Sequence, residues 1–327
     1  MAAARRTRSG RWVPFLLGAT GGMILLVWAG SNGYRLSIVT LMVAYALIAI
    51  GMYVPVAWAG SLSLAYGAYG AIGAYSVAVA TTKLNLPVWL GWVAGVVLAA
   101  VIAVVLGVAT ARLLGFHLAA ATLLFATAFE TWLDNSLWLG SSNGLVGVPE
   151  VAVLGWRPGQ QAVVTAGVGL VLLLAFAVDR ITASRWGVVV RALGQSPLVV
   201  SSSGTSTGRL TIVVLALGAA VAALGGSFFV TTVGGITPET FSMNVVFLAL
   251  FMPLLGGIGT PWGAVVGAML TVQLTVQWEI FAEGGGLFVL SVAVVLVLLL
   301  APSGVLGYLA AVGQWAGRLA RGVRRAR

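Results

Sequence analysis

The sequence predicts an all-α integral membrane protein, a polytopic bundle of about eight to ten transmembrane helices. The prediction rests on composition: 60% of the 327 residues are hydrophobic, only 7% are charged, and the mean hydropathy is +1.08. A soluble domain carries about 25% charged residues, which cover its water-facing surface. Because this chain has too few charges for such a surface, its exterior is expected to face the lipid bilayer.

Ten hydrophobic stretches are close to the length of about 20 residues that a helix needs to cross a membrane. In chain order they are residues 13–30, 36–59, 62–80, 87–111, 118–137, 162–178, 210–233, 243–258, 262–280 and 286–306. The stretch 62–80 is rich in glycine, and the stretch 243–258 is short and runs into a glycine-rich turn. One or both are therefore predicted to be broken or re-entrant, which a membrane tolerates only where protein covers the backbone.

The N-terminus, residues 1–12, is basic and leads directly into the first hydrophobic stretch. A cleaved signal peptide is the competing interpretation of this pattern. The stretch has no clear small-x-small cleavage site ahead of a polar sequence, and further hydrophobic stretches follow at once. We therefore expect a retained signal anchor and a single transmembrane domain over residues 13–306.

The basic residues predict the orientation, because cytoplasmic segments carry an excess of lysine and arginine. If residues 1–12 are cytoplasmic and all ten stretches cross, fourteen arginines lie on the cytoplasmic side. They are Arg5, Arg6, Arg8, Arg11, Arg112, Arg180, Arg185, Arg191, Arg209, Arg318, Arg321, Arg324, Arg325 and Arg327. Only Arg35, Lys83 and Arg157 lie on the other side. Both termini, including the tail 307–327, are therefore predicted to be cytoplasmic, and the net charge of +10 does not indicate nucleic-acid binding.

Two connections are long enough to dock a partner. Residues 140–161 form an outer loop with glycine, proline and asparagine at turn positions. Residues 179–209 form the longest cytoplasmic connection, which carries four arginines and a polar run at 201–206. The second connection is therefore the predicted contact for a cytoplasmic partner.

One helix face is made of small residues. Within the stretch 210–233, Gly218, Ala222 and Gly226 recur every four residues and share a side of the helix. Small residues at this spacing let helix backbones approach closely. We therefore predict that this face packs against a neighbouring helix.

The sequence offers little support for catalytic or metal-binding chemistry. Cysteine is absent and histidine occurs once, at His117, so thiolate chemistry and a histidine-based triad are excluded. The single lysine, Lys83, belongs to no phosphate-binding G-x-x-x-x-G-K-[ST] loop, and no H-E-x-x-H motif occurs. We predict no cofactor, no metal and no enzymatic activity, so the energy for any transport would come from an ion gradient or a partner ATPase.

Two carboxylates bear on the choice between these energy sources. Glu130 and Asp134 lie four residues apart on one face of the stretch 118–137, in its last two turns near the outer interface. They are either solvated interfacial residues or part of the outer mouth of a pathway. His117 begins the same stretch close to Arg112 and is expected to be hydrated. An ion-coupled secondary carrier usually has ionisable groups at mid-membrane, so this alternative is disfavoured.

Four groups of motifs occur in a fixed order between about residues 45 and 270. They are GSLSL at 60–64 with GAIGAY at 70–75; GFHLA at 115–119 with TLLF at 122–125 and NGLVGVP at 143–149; SRWG at 184–187 with RAL at 191–193; and GITP at 235–238 with Phe241, LGGIGT at 255–260 and GAVVGA at 263–268. In order and spacing the set resembles the membrane subunits of branched-chain amino acid ABC importers, specifically the larger of the two paired permeases.

The resemblance implies a set of partners in a bacterial inner membrane. Such a subunit pairs with a second permease, two cytoplasmic ATPases and an extracytoplasmic substrate-binding protein. ATP binding and hydrolysis would switch the permease pair between outward-open and inward-open states. The implied ATPase contact is formed by Arg185, Trp186, Gly187, Arg191, Ala192, Gln195, Ser196 and Leu198.

The resemblance also suggests residues of a substrate pathway. Ser61, Ser63 and Tyr66 would be its polar lining, because an unwound backbone in a glycine-interrupted segment offers hydrogen bonds to a zwitterion. Alternatively, the serine hydroxyls bond to carbonyls of their own helix. Asn143 and Gly144 of the outer loop would lie on the same pathway at its outer end.

Several positions depart from the family pattern. The charged residues that usually follow the RAL motif are replaced by the sequence GQSP at 194–197. Tyr66 stands where the family has histidine, Thr127 where it has glutamate, and Glu130 where it has arginine. These changes leave the substrate open, because related permeases carry urea, short amides or other amino acids.

Two other classes remain as alternatives. The permease of a sugar or nucleoside ABC importer shares the general architecture, but the NGLVGVP motif at 143–149 argues against it. A membrane enzyme acting on lipids would need acids, histidines or metal ligands that converge at one interface. One histidine, no cysteine and scattered acids argue against such an enzyme.

Overall fold

Helices form almost all of the regular structure in residues 13–110, 116–149, 158–277 and 304–308 and at positions 292, 296 and 299, the part of the chain that the computed structural model describes. The α-helices are α1 (Val13–Ala29), α2 (Gly33–Ala59), α3 (Tyr66–Thr82), α4 (Val88–Ala109), α5 (Phe116–Asn135), α6 (Gln160–Thr182), α7 (Arg185–Gln195), α8 (Pro197–Ser202), α9 (Thr207–Val233), α10 (Met243–Gly256) and α11 (Pro261–Gln277). Short 3-10 helices occur at Leu137–Leu139, Ser141–Asn143 and Pro238–Phe241, and the strands β1 (Leu145–Val146) and β2 (Gly235–Ile236) pair antiparallel.

The helix lengths confirm an all-α polytopic membrane protein. Six helical stretches of the described residues are long and apolar enough to cross a membrane: α2, α4, α5, α6, α9 and Pro238–Gly256, which ends with α10. The helices α1, α3 and α11 each have 17 residues, the lower end of the range of about 17–25 for a spanning helix. The first nine predicted stretches thus correspond to helices, and the tenth, 286–306, lies mostly outside the described residues.

The first of the two predicted breaks lies between α2 and α3. Gly60 follows α2 with a φ of +60°, and α3 begins only at Tyr66. The backbone between them is not helical, yet Ser63 and Leu64 are buried. The backbone N–H of Leu64 donates a 2.9 Å hydrogen bond to the hydroxyl of Thr122 on α5. Protein therefore covers this break, as a membrane setting requires.

The second break separates α10 from α11. The helix α10 has only 14 residues, and Gly257 after it adopts a φ of +112°. Residues 257–260 then form a turn that leads into α11. Gly263 lies against the backbone of Gly256 and Gly257, where a Cβ would have no space. The two helices therefore pack closely beside the turn.

The centre of the bundle is the contact of α9 with α2 and α3. Gly218 lies against the backbone of Gly51 on α2, and Gly226 lies against the backbone of Gly70 on α3. A Cβ on Gly226 would overlap the carbonyl oxygen of Gly70. The small-residue face of α9 is therefore a packing surface, as its spacing predicts.

The helix ends form two opposite faces. The basic face carries the connection between α6 and α9, with Arg180, Arg185, Arg191 and Arg209. The outer face carries the β1–β2 pair, in which Leu145 is the partner of Ile236. In the orientation predicted from the arginines, the basic face is cytoplasmic. Residues 1–12, Arg112, Glu150, Arg157, Glu283 and 309–327 lie outside the described residues.

Candidate coupling and translocation site

The helix α7 is an amphipathic element on the basic face. The Ser184 hydroxyl caps its N-terminus by accepting a 3.3 Å hydrogen bond from the backbone N–H of Gly187. Gly187, Val190 and Leu193 are buried, and their spacing of three puts them on one side of the helix. Arg185 and Arg191 are exposed on its other sides. The helix therefore packs on the bundle with one side and presents arginines with the other.

Two contacts join α7 to the end of α2. The Trp186 ring meets the Trp58 ring edge-on, with centroids 5.3 Å apart at 84°. At the other end of α7, Gly194 lies so close to α2 that a Cβ there would be 2.9 Å from the Gly60 nitrogen and 3.0 Å from the Trp58 carbonyl oxygen. Trp58 itself is buried, and its indole N–H donates a 2.9 Å hydrogen bond to the Thr182 hydroxyl. The helix α7 is therefore in direct contact with the end of α2.

Apolar side chains are exposed beside the arginines of the basic face. Leu198 is 84% exposed, and Val188, Val189 and Val199 are also exposed. Exposed apolar groups rimmed by polar residues often mark a protein contact. Sequence reasoning included Leu198 but missed the three valines. The three-residue spacing on the buried side of α7 could have located two of these valines. It leaves Val188 and Val189 on the exposed side of the helix.

The remaining sequence-predicted residues of this element differ in exposure. Gln195 and Ser196 are exposed at the end of α7, whereas Ala192 and Trp186 are half-buried. Gly187 is buried, and a Cβ there would overlap the carbonyl oxygens of Ile181 and Thr182. The structure thus places the predicted coupling residues on α7, at the junction that follows it and at the start of α8, and only some of them are accessible to a partner.

Ser61 lines a polar cavity that we call the inner cavity. It has a volume of about 230 Å³ and lies between α2, α4, α7 and α9. Its hydroxyl-bearing walls are Ser61, Thr110, Thr207 and Thr211, and Gly194 of α7 forms another wall. The inner cavity therefore adjoins both the broken segment and the helix that is joined to α2.

Ser63 and Tyr66 lie deeper in the bundle than Ser61. Both are only 1% exposed, and neither hydroxyl has a hydrogen-bond partner among the described residues. The Tyr66 hydroxyl lies beside Gly218, which is eleven residues into α9. At 1.5 Å per residue this is a depth of about 16 Å. The broken segment therefore carries two unpartnered hydroxyls from the basic face to the middle of the bundle.

Asn143 and Gly144 lie on the outer face. Asn143 is exposed, and Gly144 has a φ of +67° and abuts the backbone of Ile236 on β2. β2 follows the end of α9, which is about 22 Å along the helix from Gly218 at 1.5 Å per residue. The structure therefore separates these two residues from Ser61, Ser63 and Tyr66 along the membrane normal.

Glu130 lies near the N-terminus of α10, a proximity that the sequence did not indicate. The backbone N–H of Met243, the first residue of α10, interacts favourably with its carboxylate. A negative charge near a helix N-terminus is favourable. Asp134 and Glu239 are close enough to interact electrostatically with Glu130. The two carboxylates of α5 are thus part of an acidic group on the outer face, and Glu130 lies near the start of α10.

Metal binding receives no support from the described part of the chain. It contains no group of three or more histidine or acidic side chains placed to hold a metal ion. His117 is exposed at the start of α5, with its ring 6.3 Å from that of Phe116.

A membrane-spanning helical bundle with a buried non-helical segment that extends inward from the basic face, and with an amphipathic helix packed at its start, is typical of a multi-pass permease of the cell membrane. The chain belongs to the family described as branched-chain amino acid transport system / permease component, whose model matches residues 34–302. No support appears for the sugar or nucleoside alternative, for a secondary carrier or for a lipid enzyme.

Two kinds of relative are similar to the chain over most of its length. The high-affinity branched-chain amino acid transport system permease protein LivM of Escherichia coli K12 is 26% identical over 294 residues, which cover 82% of this chain and 69% of that protein. LivM of Salmonella typhimurium LT2 is 26% identical over 314 residues, covering 87% and 74%. The permease protein LivH of Escherichia coli K12 is 28% identical over 287 residues, covering 82% and 93%. No solved structure matches the chain.

Proposed function

We propose that this chain is one of two paired permeases of an ATP-driven importer of branched-chain amino acids. The observation that carries the proposal is the position of α7, which a cytoplasmic partner can reach and which contacts α2 through Trp58 and Gly60. The names of the relatives, transport-system permeases for branched-chain amino acids, supply the substrate class. The chain has no nucleotide-binding motif, so two partner ATPases would hydrolyse the ATP.

The coupling step follows from the contacts of α7. An ATPase would engage Arg185 and Arg191 through acidic groups and the exposed Leu198 through apolar ones. Because no side chain separates Gly194 from Gly60, a shift of α7 would move the end of α2 and the broken segment after it. Packed elements of this kind switch between discrete arrangements rather than deforming continuously.

The pathway would pass along the broken segment. Ser61 faces the inner cavity, and Ser63 and Tyr66 hold unpartnered hydroxyls at mid-depth. A buried hydroxyl without a partner costs about 1–3 kcal/mol. Such a cost is reasonable where a substrate binds transiently to the hydroxyls. A zwitterionic amino acid offers them both hydrogen-bond donors and acceptors. The rearrangement of α2 would expose these hydroxyls during transport.

The second permease would pack on α5. This helix is the least hydrophobic of the six long spans and is mostly exposed in the single chain. Its polar residues include Thr127, Thr131 and Asp134, and polar groups avoid direct contact with lipid. A partner subunit that covers α5 would remove them from lipid and would close one side of the pathway.

The outer loop would receive the substrate-binding protein. Asn143 is exposed there, and the loop is held in place because Gly147 and Val148 donate hydrogen bonds of 3.1 and 3.0 Å to the Gly234 carbonyl oxygen. Loops held by a rigid scaffold are frequent binding elements. The binding protein would then deliver the amino acid at the outer end of the pathway.

Copurification tests this function. The tagged chain would be extracted from its native membrane in a mild detergent, and the bound proteins would be identified by mass spectrometry. We expect a second permease and two ATPases in the eluate, and ATP-driven uptake of labelled leucine, isoleucine or valine after reconstitution with the binding protein. A chain recovered alone, or a complex that transports urea or short amides but no branched-chain amino acid, would contradict the proposal.

A further inference from the structure

A short segment between α9 and α10 enters the bundle from the outer face. We call residues 234–242 the outer segment; it contains β2, the 3-10 turn Pro238–Phe241 and Ser242, which precedes α10. Its first residue, Gly234, ends α9 with a φ of +82°. Phe241 is only 5% exposed. The outer segment therefore places an aromatic ring inside the bundle from a part of the chain that is not an α-helix.

The Phe241 ring lies against Gly70 of α3. A Cβ on Gly70 would be 3.1 Å from the nearest ring atom of Phe241 and 3.2 Å from the Cδ1 atom of Ile48 on α2. The ring of Phe229 on α9 meets that of Phe241 edge-on, with centroids 5.9 Å apart at 77°. Because Gly70 has no side chain, apolar groups of Phe241 and its neighbours fill the space beside α3 at this level.

This contact lies on the outer side of the two unpartnered hydroxyls. Gly70 follows Tyr66 by four residues on α3, which is about 6 Å along the helix at 1.5 Å per residue. Gly70 also contacts Gly226, which is seven residues before the end of α9 and therefore about 10 Å from that end. The Phe241 ring thus lies between the outer face and the hydroxyls of Ser63 and Tyr66.

The outer segment is also attached to the outer loop, because β1 of that loop pairs antiparallel with β2. Gly144 abuts the Ile236 carbonyl oxygen so closely that a Cβ there would overlap it. Phe241 follows Ile236 by five residues. The turn between them is closed by a 3.3 Å hydrogen bond from the backbone N–H of Thr237 to the Thr240 hydroxyl. Only a short, hydrogen-bonded piece of chain therefore separates the outer loop from the Phe241 ring.

We propose that Phe241 is the outer gate of the transport pathway, and that docking of the substrate-binding protein on the outer loop withdraws its ring from Gly70. The inference rests on the proposed function, which puts Ser63 and Tyr66 on the pathway. A hydrophobic constriction closes a pathway because it excludes water. A zwitterionic amino acid therefore does not pass the ring in the arrangement seen here, and it reaches the two hydroxyls only after the ring has moved.

Cysteine accessibility tests the gate, and the chain is suited to it because it contains no cysteine. The complete importer with Ser63→Cys, in right-side-out membrane vesicles, would be treated from outside with a small, membrane-impermeant methanethiosulfonate that carries a sulfonate group. Labelling of this chain would be followed by mass spectrometry. We expect slow labelling at rest and about tenfold faster labelling during turnover with the binding protein, leucine and ATP.

Removal of the ring should replace the action of the binding protein. In the resting Ser63→Cys complex we expect Phe241→Ala to give labelling about as fast as that during turnover. Phe241→Leu keeps an apolar side chain and disturbs folding less, so its rate should be intermediate. Phe228→Ala is the matched control, because Phe228 is also buried on α9 but its ring lies against Gly167 of α6. This control should keep the slow resting rate.

The outcomes separate the gate from the pathway. Slow resting labelling in both Phe241 variants, together with fast labelling of Ser63→Cys during turnover, would overturn the gate and leave the pathway in place. Equal acceleration by Phe228→Ala would also overturn the gate, because the effect would then be a general loosening of the bundle. If Ser63→Cys is never labelled in a complex that imports leucine, Ser63 does not lie on the pathway, and the gate is overturned with it.

Discussion

The indole N–H of Trp58 donates a 2.9 Å hydrogen bond to the hydroxyl of Thr182, which joins the end of α2 to the end of α6. Three residues after Thr182, α7 begins and places Trp186 on the Trp58 ring. One buried tryptophan thus connects two membrane helices and the coupling element. In the proposed mechanism, it is the point at which a motion of α7 reaches the bundle.

Replacement of Thr182 by valine removes the acceptor for Trp58 while preserving the shape of the side chain. The buried indole N–H is then unpartnered, which costs about 1–3 kcal/mol. We expect a lower thermal unfolding midpoint for Thr182→Val in detergent. Thr165→Val on the exposed side of the same helix is the control, because the Thr165 hydroxyl bonds only to its own helix. Equal midpoints for the two variants would mean that the bond contributes no stability.

Charge reversal at Arg191 tests the coupling element. Arg191 is exposed, and its Nε donates a 3.2 Å hydrogen bond to the Gly187 carbonyl oxygen within α7. We expect Arg191→Glu to leave the protein inserted and assembled with the second permease, and to lower ATP-driven leucine uptake by about tenfold. Arg35→Glu on the outer side serves as the control. Normal uptake by Arg191→Glu would remove α7 from the coupling mechanism.

The close approach of Gly194 to Gly60 gives a steric test of the same mechanism. A Cβ at Gly194 would lie 2.9 Å from the Gly60 nitrogen, so Gly194→Ala must push α7 away from α2. We expect ATP hydrolysis to continue while uptake falls several-fold, measured as the number of substrate molecules imported per ATP. Gly169→Ala on α6, where a Cβ meets nothing within 4 Å, should keep the wild-type ratio. An unchanged ratio in Gly194→Ala would show that α7 does not act through this contact.

Substitutions that remove the unpartnered hydroxyls of Ser63 and Tyr66 distinguish a role in transport from a role in packing. Ser63→Ala and Tyr66→Phe each remove a buried hydroxyl without a partner, so stability should stay the same or rise by about 1 kcal/mol. If the hydroxyls serve the substrate, uptake should fall by about threefold or more at the same time. Ser76→Ala on α3 is the control, because its hydroxyl bonds to the Ile72 carbonyl oxygen at 2.6 Å. Wild-type uptake with higher stability would assign both hydroxyls to packing alone.

The sequence located the broken segment but not its depth. Glycine-rich composition indicated that the stretch 62–80 is broken or re-entrant, and in the structure its first residues are not helical because α3 begins only at Tyr66. Only the contact of Tyr66 with Gly218 shows that the break reaches mid-depth. The sequence grouped Asn143 and Gly144 with Ser61, Ser63 and Tyr66, and the structure places them on the outer face. The sequence of a polar motif does not show how far that motif lies from another one along the membrane normal.

The sequence by itself determined that this is a membrane protein and where its helices lie, and it predicts which face is cytoplasmic. These properties depend on the number of apolar residues in a stretch and on the positions of the arginines, both of which are local. Tertiary structure alone decided that Glu130 lies near the start of α10, that α7 contacts the end of α2, and that the Trp58 indole bonds to Thr182. Each of these relationships joins residues distant in the chain. In an apolar bundle many pairs of faces are chemically alike, so only the packed arrangement specifies which of them meet.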